Sequence, residues 1–311
     1  MKKLICLLGI VMIVILPLGL GCAKETATGK GPIVVGSKID TEGSLLSQMI
    51  ILMLQDSGFE VVDKSQFGPT SVVKKALETG ELDIYPEYTG NGAFFFDEAD
   101  SDVWKDARKG YERVKELDKA ANNIEWLKPA PANNTWAIAI PGELAGKENL
   151  KTLDDFAAYV NRGGYVKLIG SEEFVNSPAA LPAFQKAYGF TLSKDQLLTV
   201  SSGDTTQTEK AAAEGTDGVN AAMAYGTDGA IGAFALLVLG DPRGVQPVYE
   251  PAPRVRGEIL EEYPEIADIL DPVFQSLSLE ALQTLNAKIG VEGQNPTDVA
   301  REYLVSDGFL K

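Results

Sequence analysis

The chain is 311 residues long, sets 44 acidic side chains against 28 basic ones for a formal charge of −16, and contains no histidine. An acidic chain offers no footprint for a phosphate backbone, which argues against nucleic acid as a partner. Without histidine the usual general base and the commonest zinc ligand are missing, so any catalysis must rest on carboxylates, Lys, Tyr or Ser.

Lys2 and Lys3 open the chain, and an almost unbroken apolar run follows from Leu4 to Leu20, with Gly9, Pro17 and Gly19 inside it. A spanning helix needs about 20 apolar residues. This run is shorter and carries a late proline, which predicts a signal peptide over residues 1–21. The two cysteines are Cys6, inside the run, and Cys22, at its end. Cleavage therefore leaves one thiol and no intrachain disulfide. A lone thiol is a liability in an oxidising compartment, but not if it is acylated. Leu18-Gly19-Leu20-Gly21-Cys22 resembles a bacterial lipobox, with Gly19 where a large apolar residue is usual. Cys22 is the expected lipidation site, since two acyl chains anchor stably where one does not. Ordinary cleavage beside an incidental cysteine is the alternative. Residues 22–31 have the small, polar composition of a tether. Loss of Lys2 and Lys3 takes the formal charge from −16 to −18, which favours solubility.

Beyond the tether, short apolar strands alternate with amphipathic helices. Strands are predicted at Ile33–Ser37, Phe59–Val62 and Leu82–Tyr85, and helices at Gly43–Ser57 and Thr70–Thr79. A second series follows Pro141: helix Leu153–Val160, strand Tyr165–Ile169, helix Ala179–Tyr188, helix Thr206–Glu214 and strand Val219–Tyr225. Arg256–Leu310 reads as three or four helices. Such alternation predicts an α/β fold with mainly parallel sheets, and about 280 residues exceed what one compact core usually holds. Two α/β lobes are expected, with residues 32–138 and 248–311 in lobe I and 139–247 in lobe II. Ligands bind such folds at the carboxyl ends of strands and between lobes.

Several segments at strand ends depart from ordinary loop composition. Gly36-Ser37-Lys38 runs into Thr41-Glu42, which are placed to cap the next helix. Lys38 either meets an anion at that helix N-terminus or is a solvated loop lysine. Asp83-Ile84-Tyr85-Pro86-Glu87-Tyr88-Thr89-Gly90-Asn91 crowds acids, tyrosines and small polar groups round a sharp strand exit. Asp83 and Glu87 form the pair a glycosidase would need, or are ordinary loop acids. Asn133-Asn134-Thr135-Trp136 stands at the first expected crossing between lobes. Tyr225-Gly226-Thr227-Asp228-Gly229 ends a strand, and Pro247-Val248-Tyr249-Glu250-Pro251 stands at the return crossing. Singly, each aromatic reads as core packing. Together, Tyr88, Trp136, Tyr225 and Tyr249 suit a cage for a cation that donates no strong hydrogen bond, such as a quaternary ammonium, each ring face contributing about 0.5–2 kcal/mol.

In their order and spacing, GSK..TE, YPEYTG, NNTW, YGTDG and Y.PAP resemble the glycine betaine/choline/carnitine family of ABC-importer binding proteins. The likeness spans nearly all of the chain beyond the tether. SEEFVNS (Ser171 to Ser177), GDT (Gly203 to Thr205) and AMAYGTDG place it nearest the osmotically inducible branch. The resemblance implies a two-lobed, type II periplasmic-binding (Venus-flytrap) fold. It implies a cage of Tyr88, Trp136, Tyr225 and Tyr249, and Lys38 for the ligand carboxylate. Asn91 and Asn134 fall on polar positions of the site, the first usually a threonine. One departure stands out. The second-lobe arginine that clamps the carboxylate in relatives falls on Ser177, and loss of an Arg–carboxylate fork weakens that contact. Arg254 or Arg256 would have to substitute, or Asp204 and Thr205 supply polar contacts; Asp204 reads equally as a helix N-cap.

The expectation is a membrane-anchored extracytoplasmic lipoprotein, in the periplasm or at the cell surface, that needs no cofactor. It captures a quaternary-ammonium solute and hands it to an ABC permease and, through that, its ATPase. The alternatives are a binding protein for another small cationic or zwitterionic solute, a ligand-loaded sensor, and an extracytoplasmic hydrolase built on Asp83 and Glu87.

Overall fold

The structure is a computed structural model and describes residues 29–201 and 205–311. The expected signal peptide and Cys22 lie outside the described residues, as does Asp204. Among the described residues no helix is long and apolar enough to cross a membrane.

In chain order the first body holds β1 (Lys30–Lys38), α1 (Thr41–Asp56), β2 (Phe59–Gly68), α2 (Thr70–Glu78), β3 (Ile84–Tyr88), α3 (Gly92–Phe95), α4 (Ala107–Asn122) and β4 (Ile124–Trp126). The second holds β5 (Trp136–Pro141), α5 (Gly142–Glu148), α6 (Leu153–Asn161), β6 (Leu168–Ser171), α7 (Glu172–Asn176), α8 (Leu181–Tyr188), β7 (Leu197–Val200), α9 (Thr205–Glu214), β8 (Ala221–Tyr225), α10 (Gly229–Ala233) and β9 (Leu236–Val238). The chain then returns through β10 (Pro251–Arg256) to α11 (Gly257–Glu262), α12 (Glu265–Ser276), α13 (Leu279–Gly290) and α14 (Pro296–Ser306).

Two five-stranded sheets result, ordered β2-β1-β3-β10-β4 and β7-β6-β8-β5-β9. Each has a parallel triple, and each takes its fourth strand just after the chain crosses between sheets: β10 runs antiparallel to β3 and β4, and β5 antiparallel to β8 and β9. The chain thus passes between sheets twice, after Trp126 and after Val238.

The sequence explains the packing. Helix α1 is apolar nearly all round and is buried from Glu42 to Leu54, as expected of a helix enclosed on every side. It lies between the first sheet and the C-terminal helices, sharing one core with Ile33, Ile84, Val255, Leu270, Phe274 and Leu304. In β8, Ala221 and Met223 face one cluster of the second lobe while Ala222 and Ala224 face two others, the two-residue period of a strand buried on both faces. Pro86 is tolerated in central β3 because it stands opposite Pro253. The Pro253 carbonyl is turned outward to Leu127 N, so this pair asks neither proline for an N–H.

The strand expected over Tyr165–Ile169 is displaced to Leu168–Ser171. An asparagine side chain replaces the ladder before it: Lys167 N donates to Asn220 Oδ1, and Asn220 and Ala221 both donate to Lys167 O. The C-terminal stretch folds as four helices. Helix α4 was not legible in the sequence, because its buried face is only Gly110, Val114 and Asp118.

Candidate functional site

The ends of β1, β3 and β8 and the N-termini of α1, α7 and α9 open on one cavity of about 990 Å³ between the sheets. Lys38, Tyr88, Asn91, Asn134, Trp136, Thr205, Tyr225 and Tyr249 all line it. So do Asp40, Glu42, Glu173 and Asp228. Every candidate ligand residue that the structure describes therefore reaches the same space.

The aromatic side is assembled by strand register. Trp136 and Tyr225 are direct partners across β5 and β8, and their rings stack at 24° with centroids 6.4 Å apart. Phe174 meets Trp136 edge-on at 6.3 Å, which fixes the indole against the second lobe. Burial raises the Tyr225 hydroxyl to about 12 and pushes that of Tyr249 up as well, so both phenols stay neutral at working pH. Tyr249 comes close because Gly90 has no side chain: a Cβ there would meet the Tyr249 ring at 2.8 Å and Val248 O at 2.7 Å.

The opposite wall is polar and internally wired. Lys38 Nζ lies 2.9 Å from Glu87 Oε1 and 4.0 Å from the Tyr88 ring centroid. Glu87 is wholly buried and also accepts from Tyr88 N, Asn91 Nδ2 and Tyr85 Oη. The expected anion-binding lysine is thus already paired, and the amide of Asn91 is spent on the same carboxylate. The α1 cap is Asp40, whose side chain accepts from Gly43 N, rather than Thr41 or Glu42 as the sequence suggested. Glu42 turns inward instead. Tyr88 Oη donates to it at 2.7 Å, Asn286 Nδ2 at 2.6 Å and Asn134 Nδ2 at 3.3 Å. Burial pushes its carboxyl up to about 7, against the lowering effect of hydrogen bonds from Thr227, Tyr88 and Asn286.

Asn286 and Glu42 belong to the site and were not singled out as ligand-site residues from sequence. An acid in a first helical turn ordinarily complements the helix dipole, which hid Glu42. Nothing in the sequence around Asn286 marks it.

Other expectations fail on geometry. Asp83 accepts from Val34 N and pairs with Arg256 at 3.0 Å, and neither Asp83 nor Glu87 lines the cavity. A two-carboxylate catalytic pair is therefore not formed. Arg254 is fully buried against Asp118 and Tyr85, and neither it nor Arg256 replaces the missing clamp. Ser177 accepts from Ala179 N at 3.3 Å and also stands outside the cavity. Among the described residues no group of three metal-binding side chains gathers.

The family model for the substrate-binding domain of ABC-type glycine betaine transport systems matches residues 31–306. The chain belongs to this family. It is 55% identical over 280 residues to the glycine betaine-binding protein YehZ of Escherichia coli, covering 90% of this chain and 92% of that one. It is 32% identical to a glycine-betaine-binding protein of Pseudomonas aeruginosa, with 92% of each covered. Among solved structures, apo YehZ from Escherichia coli superposes with a TM-score of 0.82 at 54% identity, covering 90% of this chain and 99% of that one. A glycine betaine/carnitine/choline ABC transporter structure superposes at 0.79 with 21% identity, covering 90% and 100%, which supports the fold. The two-lobed α/β periplasmic-binding architecture is thereby established, and the family is one of transport binding proteins rather than enzymes.

Proposed function

We propose that this chain captures a quaternary-ammonium compatible solute of the glycine betaine type in an aromatic cage and delivers it to an ABC permease. The observation that carries this reading is the convergence of Tyr88, Trp136, Tyr225 and Tyr249 on one interlobe cavity. Quaternary ammoniums offer no N–H and are held by ring faces. The lobes, taken as 32–138 with 248–311 and 139–247, act as a two-state hinge that ligand contacts bias toward closure. Anchoring through acylated Cys22 would hold the protein at the extracytoplasmic membrane face, beside the permease and its ATPase.

A second reading has an observation of its own. Lys38, the group expected to receive a ligand carboxylate, is committed to buried Glu87, which favours another small cationic solute. Calorimetric titration of the mature chain with glycine betaine, choline, carnitine and proline betaine separates the two. Micromolar betaine binding that Trp136→Ala or Tyr225→Ala abolishes supports the cage. No heat from any of the four sinks the quaternary-ammonium reading.

A further inference from the structure

Glu42 is left without a role by the cage alone. It is 5% exposed and lines the cavity. Side chains from β3, the first crossing, α13 and the turn after β8 all donate to it, so the carboxylate is pinned at the hydroxyl end of the Tyr88 ring. A buried carboxylate ordinarily has a cationic partner. Here the only Lys or Arg lining the cavity among the described residues is Lys38, and its partner is Glu87.

Resting on the proposed function, we infer that Glu42 sets the charge preference of the cleft, favouring quaternary ammoniums that carry no negative group over zwitterions that carry a carboxylate. Either kind of ligand gains from a negative charge beside its ammonium. The zwitterion also brings an anion into a space lined by Asp40, Glu42, Glu173 and Asp228. At an effective dielectric of about 20, a unit charge about 12 Å from another still changes affinity about tenfold, and a closer one changes it more.

The neighbours of Glu42 define how its charge varies. Asp40, at the cap of the same helix, raises it by repulsion. From β3 it faces Tyr88, a phenol that burial holds well above its ordinary range; Lys38 of β1, which stands over the same ring, is paired with Glu87. The crossing and α13 present the neutral amides of Asn134 and Asn286. The turn after β8 presents Thr227, with Tyr225 and Asp228 beside it on the cavity wall. With the Glu42 carboxyl pushed up to about 7, its charge changes near neutrality. Below that pH the group is neutral and discrimination is weak; above it the group is anionic and the preference for the pure cation grows.

The test is calorimetry on the full mature chain with choline, a cationic alcohol, and glycine betaine, a zwitterion, at about pH 5.5 and about pH 8.5, on either side of that titration. The choline-to-betaine ratio of association constants should rise about tenfold from the lower to the higher pH. In Glu42→Gln the ratio should stay flat. A purely structural role would weaken both ligands together and leave the ratio alone. A ratio independent of pH in the unmodified protein, or a rise of the same size in Glu42→Gln, overturns the assignment while leaving the cage intact. Absence of binding by either ligand overturns the proposed function itself. The unmodified protein at two pH values decides the matter even where the variant folds poorly.

Discussion

The two walls of the cleft are built on different physics. The first-lobe wall is a polar circuit: Lys38, Glu87, Asn91 and Tyr85 on one side of Tyr88, and Glu42, Asn134 and Asn286 on the other, where only the Oδ1 atoms of Asn134 and Asn286 stay unpaired. The facing wall, on the second sheet, is the stacked pair of Trp136 and Tyr225, held by Phe174, with the exposed Glu173 beside it on the cavity wall. Where polar groups satisfy one another under burial, removing one leaves another stranded, and the cost falls on folding. Where rings present open faces, removal costs the ligand. Stability and affinity are therefore expected to separate along the cleft.

The largest effect should come from Lys38→Ala, which leaves Glu87 charged and wholly buried. Stranding one member of such a pair costs about 3–5 kcal/mol, read as a lower denaturation midpoint. Lys38→Ala with Glu87→Gln should recover much of it. No loss on the single substitution would break the contrast between walls.

Next is Trp136→Ala. It should leave the midpoint less affected than Lys38→Ala, while weakening quaternary-ammonium binding by about 2–3 kcal/mol, or roughly 100-fold. Calorimetry beside a thermal melt tells the two losses apart.

Glu42 sharpens the comparison through pH. Its folded-state value of about 7 lies above the ordinary carboxylate value of 4.5. The folded protein thus holds a proton that the unfolded chain has released between those values, so this group's contribution to stability falls as pH rises through that window. Glu42→Gln should gain on the unmodified protein by about 1–3 kcal/mol between pH 5 and pH 8, as the difference in denaturant midpoints shows.

The smallest effect belongs to Glu173→Gln. An exposed acid on the cavity wall should change affinity for a cation by less than about threefold, and moderate salt should erase the change. A large, salt-insensitive loss would mean that Glu173 is engaged inside the closed cleft.

The residues of both walls were largely legible in the sequence, Lys38, Tyr88, Asn91 and Asn134 on the first among them, but the wiring among the polar ones was not. Tyr88, Trp136, Tyr225 and Tyr249 stand beside turn residues at strand ends, and α/β topology carries such positions to a common crevice. The partners of Lys38 and Glu42 required knowing side-chain direction. Lys38 and Glu87 lie 49 positions apart and meet because β1 and β3 are neighbours. Glu42 faces inward because Asp40 took the cap. The contrast between Asp83 and Glu87 has the same origin, since one meets Arg256 of β10 and the other lies beneath Lys38.

The contact between Glu42 and Asn286 joins residues 244 positions apart. Asn286 also donates to Thr227 O, Gln283 donates to Gly226 O, and a Cβ on Gly229 would meet Ala287 N at 2.1 Å, so α13 rests on the backbone of the turn that ends β8. Loop-closure entropy must be overcome before so distant a contact forms. That wall of the cleft is therefore complete only once α13 has docked on the turn after β8. A chain halted before α13 would keep all four aromatic rings and still lack the wall behind Tyr88. Competence to bind is in this sense a report that the C-terminal helices have folded onto the rest of the polypeptide.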